Sequence, residues 1–234
     1  MSSPIVKLEK VSKIYRQGRI DVPALRSVDL EIMPAEFSVL AGPSGSGKTT
    51  LLNVVGALQR PTSGRVMISG RELGGMKGRE LATLRLEHLG FVFQAYNLIP
   101  VLSARENAEY VLLLQGVGAA ERRRRVDEVL AAVGLTGLEE RRPAELSGGQ
   151  QQRVAVARAI AATPDLVLAD EPTANLDSRA ALDLIDLMGR LNQERKVTFL
   201  ISSHDARVIE RARRVIMLED GRVTSDTQGE PHAA

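Results

Sequence analysis

Residues 5–11 and 28–32 alternate apolar and polar side chains, the pattern of strands that bury one face in an antiparallel sheet. Gly18 and Pro23 lie between them and predict a turn. Further along, the pattern changes. Residues 37–41, 89–93, 165–169 and 196–202 are short, nearly unbroken apolar runs, which read as buried strands. Residues 50–58, 79–87, 103–115, 120–133 and 151–162 read as helices, the third opening with a Ser103…Glu106 capping box. A turn at 61–64 leads into a short strand at 65–69, and 70–78 reads as loop. Residues 215–219 and 222–224 predict a closing hairpin around Asp220 and Gly221, and the polar stretch 226–234 reads as a disordered tail. Strands alternating with helices in this way predict an α/β fold.

Composition narrows the picture. A chain of 234 residues can bury a sizeable core and suits one large domain, or one domain with an insertion. With 44% hydrophobic and 26% charged residues it reads as an ordinary globular protein, and a net charge of +2 is too small to argue for a nucleic-acid partner. Cysteine is absent, which excludes disulfides and thiolate metal sites and fits a reducing compartment. The first residues lack the charged-then-apolar form of a signal peptide, and no apolar run approaches the roughly 18 residues needed to cross a bilayer. Any work at a membrane would then need a membrane part from another chain.

The strongest chemical signal is Gly42-Pro43-Ser44-Gly45-Ser46-Gly47-Lys48-Thr49-Thr50, which fits G-x-x-x-x-G-K-[ST] between an apolar strand and a helix. The glycines let successive backbone N–H groups turn inward toward a polyphosphate, and the helix N-terminus adds partial positive charge. Lys48 would reach the β- and γ-phosphates and the Thr49 hydroxyl would ligate Mg²⁺. This loop is expected to bind a nucleoside triphosphate. A second signal is the strand at 165–169 running into Asp170 and Glu171, at the strand end where α/β sheets place their chemistry. Asp170 would hold Mg²⁺ and Glu171 would polarise an attacking water.

Other residues admit two readings on their own. Tyr15 fits either an adenine stack or a partly buried strand position. Ser147, Gly148, Gly149 and Gln150 open a helix, as an anion site or simply as a cap. His204 follows a strand at the same sheet edge as the acids, where it serves structure or touches the γ-phosphate. The run of arginines at 122–125 reads as a solvated helix face, given Glu121, Asp127 and Glu128 nearby. Residues 95–100 carry many apolar side chains for a loop and are expected to be exposed.

Taken together these motifs resemble the ATP-binding subunit of ABC transporters over nearly the whole chain. The resemblance casts Tyr15 as the A-loop aromatic, residues 42–49 as Walker A, Gln94 as the Q-loop, residues 146–150 as the signature, and Asp170 with Glu171 as Walker B and its base. Asp177 falls in the D-loop and His204 is the switch histidine. It implies a P-loop NTPase core with a mostly parallel sheet, an N-terminal antiparallel β-subdomain and a helical subdomain inserted at about residues 95–162, in one domain spanning 1–225. It also implies ATP and Mg²⁺, the latter met by Thr49, Asp170 and Gln94. A second copy would sandwich each ATP between its signature and the first copy's Walker A, with Asp177 coupling the two sites. An integral-membrane permease would dock near residues 94–100, holding the chain on the cytoplasmic face of the membrane. Residues 90–100 and 168–177 look most like the lipoprotein-release, macrolide-export and cell-division group, although Ser202-Ser203 stands where a Val-Thr pair is commoner. A cell-division role, or a regulatory module switched by ATP without transport, is the alternative. A repair-type ATPase would carry heptads or a zinc-bearing insertion, and this chain has neither.

Overall fold

The computed structural model describes residues 3–18 and 20–228. In chain order the elements are β1 (Val6–Gln17), β2 (Ile20–Ile32), β3 (Phe37–Ala41), α1 (Lys48–Val55), β4 (Ser63–Ile68), β5 (Arg71–Glu72) and α2 (Gly78–His88). Then come β6 (Leu89–Phe93), α3 (Ala104–Leu114), α4 (Ala119–Ala132), a 3₁₀ turn at Pro143–Glu145, α5 (Gly148–Ala161) and β7 (Leu166–Asp170). The chain finishes with α6 (Ser178–Arg195), β8 (Phe199–Ser203), α7 (Ala206–Ile209), β9 (Arg214–Glu219) and β10 (Arg222–Gln228).

Two sheets result. One is antiparallel, in the order β2-β1-β4-β5; the other runs β10-β9-β3-β8-β7-β6, parallel except for the β10 edge. The strands of the second sheet show why their sequences are unbroken apolar runs. Val39, Val167, Ala169, Phe199 and Ile201 pack into one core with α3, α4, α5 and α6, while Leu40, Leu166, Leu168 and Leu200 alternate with them into a second core. That second core joins α1 and α2 to the antiparallel sheet. Both faces of the strands are buried, so no polar alternation survives. Phe199 is fully buried and meets Phe37 edge to face at 5.8 Å, fixing β3 against β8.

Three expectations change. The first hairpin is longer than its alternation, because register shifts after Leu8, Val11 and Lys13 break the period of two while the pairing continues to Gln17. The stretch read as tail begins too early: Asp226–Gln228 pair with Ile216, Val215 and Arg214, and Arg214 donates to Asp226 at 2.7 Å. Residues 229–234 lie outside the described residues. The loop at 95–100 is also less exposed than expected. Leu98 packs on the helical core, Ile99 is half-buried, and the Ile99 N–H donates to Asn107 Oδ1 at 2.7 Å.

The arginine run does lie on a paired helix face. Arg122 bonds Glu109, Arg124 bonds Glu121 and Glu128, and Arg125 bonds Glu121. The Arg124 and Arg125 guanidiniums hold the Glu121 carboxyl down to about 2.

Candidate active site

Every strand of the parallel sheet that carries a sequence motif delivers it at its C-terminal end. β3 ends at Ala41 and opens the glycine loop; β7 ends at Asp170; β8 ends one residue before His204; β6 ends one residue before Gln94. Since β3, β8 and β7 are neighbours in that order, Walker A, His204 and the two acids share one edge.

At two of its three glycines, Gly42 and Gly47, the loop has no room for a side chain. Gly42 has φ 148°, and a Cβ there would stand 2.1 Å from the Leu218 carbonyl oxygen. Gly47, with φ 106°, caps α1, and a Cβ would stand 2.5 Å from the Ala24 carbonyl oxygen. Lys48 is buried, and its ammonium folds back into the loop, donating to the Gly42 and Pro43 carbonyls at 2.7 and 3.0 Å. The Ser46 hydroxyl is buried and unpartnered. A glycine turn at a helix N-terminus, a cation resting on its own loop and an orphaned hydroxyl fit a polyphosphate, which would draw Lys48 off the carbonyls. Ser44 and Gly45 complete the loop and Thr50 begins the second residue pair of α1.

Thr49 Oγ1 donates to Asp170 Oδ1 at 3.1 Å, bringing Walker A and Walker B into direct contact. Both are hard oxygen donors, as Mg²⁺ prefers. Among the described residues no three His, Cys, Asp or Glu side chains gather to hold a metal by themselves. The donor set therefore fits an ion completed by water and phosphate oxygens.

Glu171 is placed unusually. Its φ of 45° lies in the left-handed region, which costs a non-glycine residue about 1–3 kcal/mol. The neighbouring strand holds it there: the Glu171 N–H donates to the Ser202 carbonyl at 3.2 Å and to the Ser202 hydroxyl at 3.0 Å. His204 Nδ1 lies 2.8 Å from Glu171 Oε1, so the imidazole and the carboxylate orient each other. Glu171 is mostly covered and His204 mostly open.

Tyr15 sits on β1 and reaches α1. Its hydroxyl bonds Gln59 Oε1 and stands 3.5 Å from Thr50 Oγ1, while the Lys13 ammonium lies 5.3 Å from the ring centroid. It is half-buried, so a strand residue and an exposed aromatic surface coexist in one side chain.

The signature stands apart. Ser147 caps α5, accepting from the Gln150 N–H at 3.3 Å, while its own N–H donates to Gln150 Oε1 at 2.9 Å. Among the described residues no hydrogen bond joins residues 146–150 to the glycine loop, Asp170, Glu171 or His204. Gly148 and Gly149 instead lie beside Tyr96, Leu176 and Ala180. Asp177 caps α6, accepting from the Arg179 and Ala180 N–H groups at 3.0 and 2.9 Å.

Between the two regions runs a set of contacts that sequence reasoning missed. Asn175 Nδ2 donates to the Gln94 carbonyl at 2.9 Å. Arg158 of α5 donates to the carbonyls of Tyr96 and Asn97, both residues with positive φ, at 3.0 and 2.5 Å. Burial lowers the Arg158 pKa, in keeping with an enclosed guanidinium. Gln152, fully buried on the same helix, donates to the Pro172 carbonyl at 2.8 Å and to that of Phe93 at 3.3 Å. Asn175 falls in the stretch 174–177 identified as the D-loop, but no sequence pattern marks Arg158 or Gln152; all three work through backbone carbonyls distant in the chain.

The ABC transporter family profile matches residues 25–174. An uncharacterised ABC transporter ATP-binding protein of Thermotoga maritima is 45% identical over 219 residues, covering 94% of this chain and 93% of its own. A macrolide export ATP-binding/permease protein MacB of Rhodopseudomonas palustris is 44% identical over all of this chain, which spans 36% of that longer protein. Among solved structures, the ATP-binding cassette MJ0796, as a post-hydrolysis dimer bound to ADP and Pi, aligns with a TM-score of 0.88 at 41% identity. That alignment covers 96% of this chain and 99% of that one. With its parallel sheet, glycine loop and paired acids placed as they are in the fold, the chain belongs to the ABC transporter ATP-binding family and is an ATPase.

Proposed function

We propose that this ATPase closes as a homodimer around two ATP molecules and drives a membrane permease, most plainly one of the export or lipoprotein-release kind. The observation that carries the reading is the division of the site. The edge with Lys48, Thr49, Asp170, Glu171 and His204 has everything for hydrolysis except a second grip on the γ-phosphate. The α5 N-terminus, with Ser147, Gly148 and Gly149, offers such a grip but touches none of that edge. A second copy, turned head to tail, would bring the two together. The dimeric ADP- and Pi-bound cassette and the permease-bearing MacB relatives support this reading.

In the reaction, Glu171 orients water toward the γ-phosphate and accepts its proton, with His204 holding the carboxylate and then supporting the phosphate. Lys48 leaves the loop carbonyls for the β- and γ-phosphates. Tyr15 would stack on the adenine, and Thr49 and Asp170, with Gln94, would hold the ion. Bound Mg²⁺ supplies charge neutralisation on the β- and γ-phosphates.

The permease would meet the surface beside Gln94. Further along the chain, exposed apolar residues stand at Val101, 71% exposed, and at Tyr110, Leu113 and Leu114 on α3, whereas Leu98 is packed. Among the described residues no helix is long and apolar enough to cross a membrane. The reading is tested with Ser147→Arg. The variant is expected to bind ATP as a monomer while losing ATP-dependent dimerisation in light scattering and at least about 100-fold in hydrolysis, the order of one transition-state contact. A variant that still dimerises and turns over would overturn it.

A further inference from the structure

We propose that Ser202 is a positioning residue for hydrolysis, whose single hydroxyl sets both the carboxylate of Asp170 and the backbone of Glu171. The inference rests on the roles given above to those two acids. Ser202 lies on β8 directly opposite Asp170 on β7, and it is completely buried. A hydroxyl in such a place needs partners, since burying it unpaired is costly. It has two. The Glu171 N–H donates to it at 3.0 Å, and an amide can only donate, so the one hydroxyl proton goes to Asp170 Oδ1 at 2.6 Å.

The consequences fall on both acids at once. Thr49 donates to the same Asp170 oxygen, so two hydroxyls hold Oδ1 and Oδ2 has no protein partner among the described residues. The carboxylate is thereby locked in one rotation, with its second oxygen left for an ion or water. Glu171 is held with φ 45° at the position where the chain leaves β7, and Ser202 supplies both acceptors of its N–H. Without the hydroxyl, Asp170 loses the nearer of its two donors and Glu171 loses the nearer of its two acceptors. Ser202 itself bonds only Asp170 and Glu171 and makes no hydrogen bond to residues 42–48 among the described residues, so nucleotide binding without metal is expected to be kept.

The test uses Ser202→Ala and the pair Ser202→Thr and Ser202→Val, which share a shape and differ in the hydroxyl. This chain has serine where a valine is commoner in the group it resembles, so the dependence is particular to this chain. For alanine and valine, kcat is expected to fall about tenfold with KM for ATP within about twofold, the size of a lost hydrogen bond to a charged group. Threonine is expected to exceed valine at least about fivefold on the same grounds. A fluorescent ATP analogue gives a readout independent of turnover: its affinity without Mg²⁺ stays unchanged, and the gain on adding Mg²⁺ shrinks for alanine and valine. Equal rates for threonine and valine, or an alanine kcat within about twofold of wild type, would overturn the proposal. Full turnover by Glu171→Gln would instead overturn the role of the base itself, so the two failures are distinguishable.

Discussion

At the C-terminal edge of the parallel sheet, Thr49, Asp170, Ser202, Glu171 and His204 are linked one to the next by hydrogen bonds, and Lys48 is buried beside them. At the start of α5, the Ser147 and Gln150 side chains bond within the helix's own first turn, and among the described residues no hydrogen bond joins them to that edge. The first region is a continuous hydrogen-bonded chain that leaves Asp170 Oδ2 open among the described residues; the second is a capped helix end with partial positive charge. The difference teaches that the two do different work. One positions hydrogen-bonded polar groups within the chain; the other, in the function proposed above, would meet a ligand brought by a neighbour.

The contrast can be broken from either side. Lys48→Ala should have the largest effect, removing detectable ATP binding by the isolated chain and lowering hydrolysis about 10³-fold or more, since it strips the cation from the phosphate site. Isothermal titration with ATP checks it, and near-normal affinity would mean that the loop's amides suffice alone. Ser147→Arg should leave that affinity intact and strike only assembly.

A smaller effect is expected where the two regions meet. Arg158→Lys keeps the charge but cannot span both the Tyr96 and Asn97 carbonyls. Hydrolysis should fall about fivefold while ATP affinity of the monomer is kept, the scale of one lost hydrogen bond. Unchanged kinetics would show that the Q-loop is held well enough by Asn175 and Gln152. The smallest effect belongs to the outer face of α3. Tyr110→Glu should leave basal hydrolysis within about twofold, as surface changes usually do, while abolishing stimulation by a reconstituted permease. A loss of basal activity would place that face in the nucleotide site's support.

Much of this was legible in the sequence where chemistry is local. The glycine loop packs its turn, lysine and hydroxyl into nine consecutive residues, and Asp170 and Glu171 are adjacent, so neither needs tertiary information. Strand identity was legible too, because burial on both faces leaves unbroken apolar runs. What was not legible depends on register or on distant carbonyls. Ser202 matters only because β8 pairs with β7 so that it falls opposite Asp170. Asn175 reaches Gln94 across 81 positions, and Arg158 reaches Tyr96 across 62. The apolar loop at 95–100 reads as exposed surface because only the tertiary fold brings Leu98 against the core cluster. Residues 226–228 looked like tail because an edge strand tolerates polar residues on its open side.

The central claim is that Glu171 drives hydrolysis within an ATP-bridged dimer, and Glu171→Gln compared with wild type tests it most directly. Light scattering after size exclusion, with and without Mg-ATP, would be read beside phosphate release. The account predicts a variant that is monomeric without ATP, a stable dimer with it, and slower in phosphate release by about 10²–10⁴-fold, the usual worth of a general base. A variant that stays monomeric with ATP and releases phosphate at the wild-type rate would contradict both the base and the sandwich.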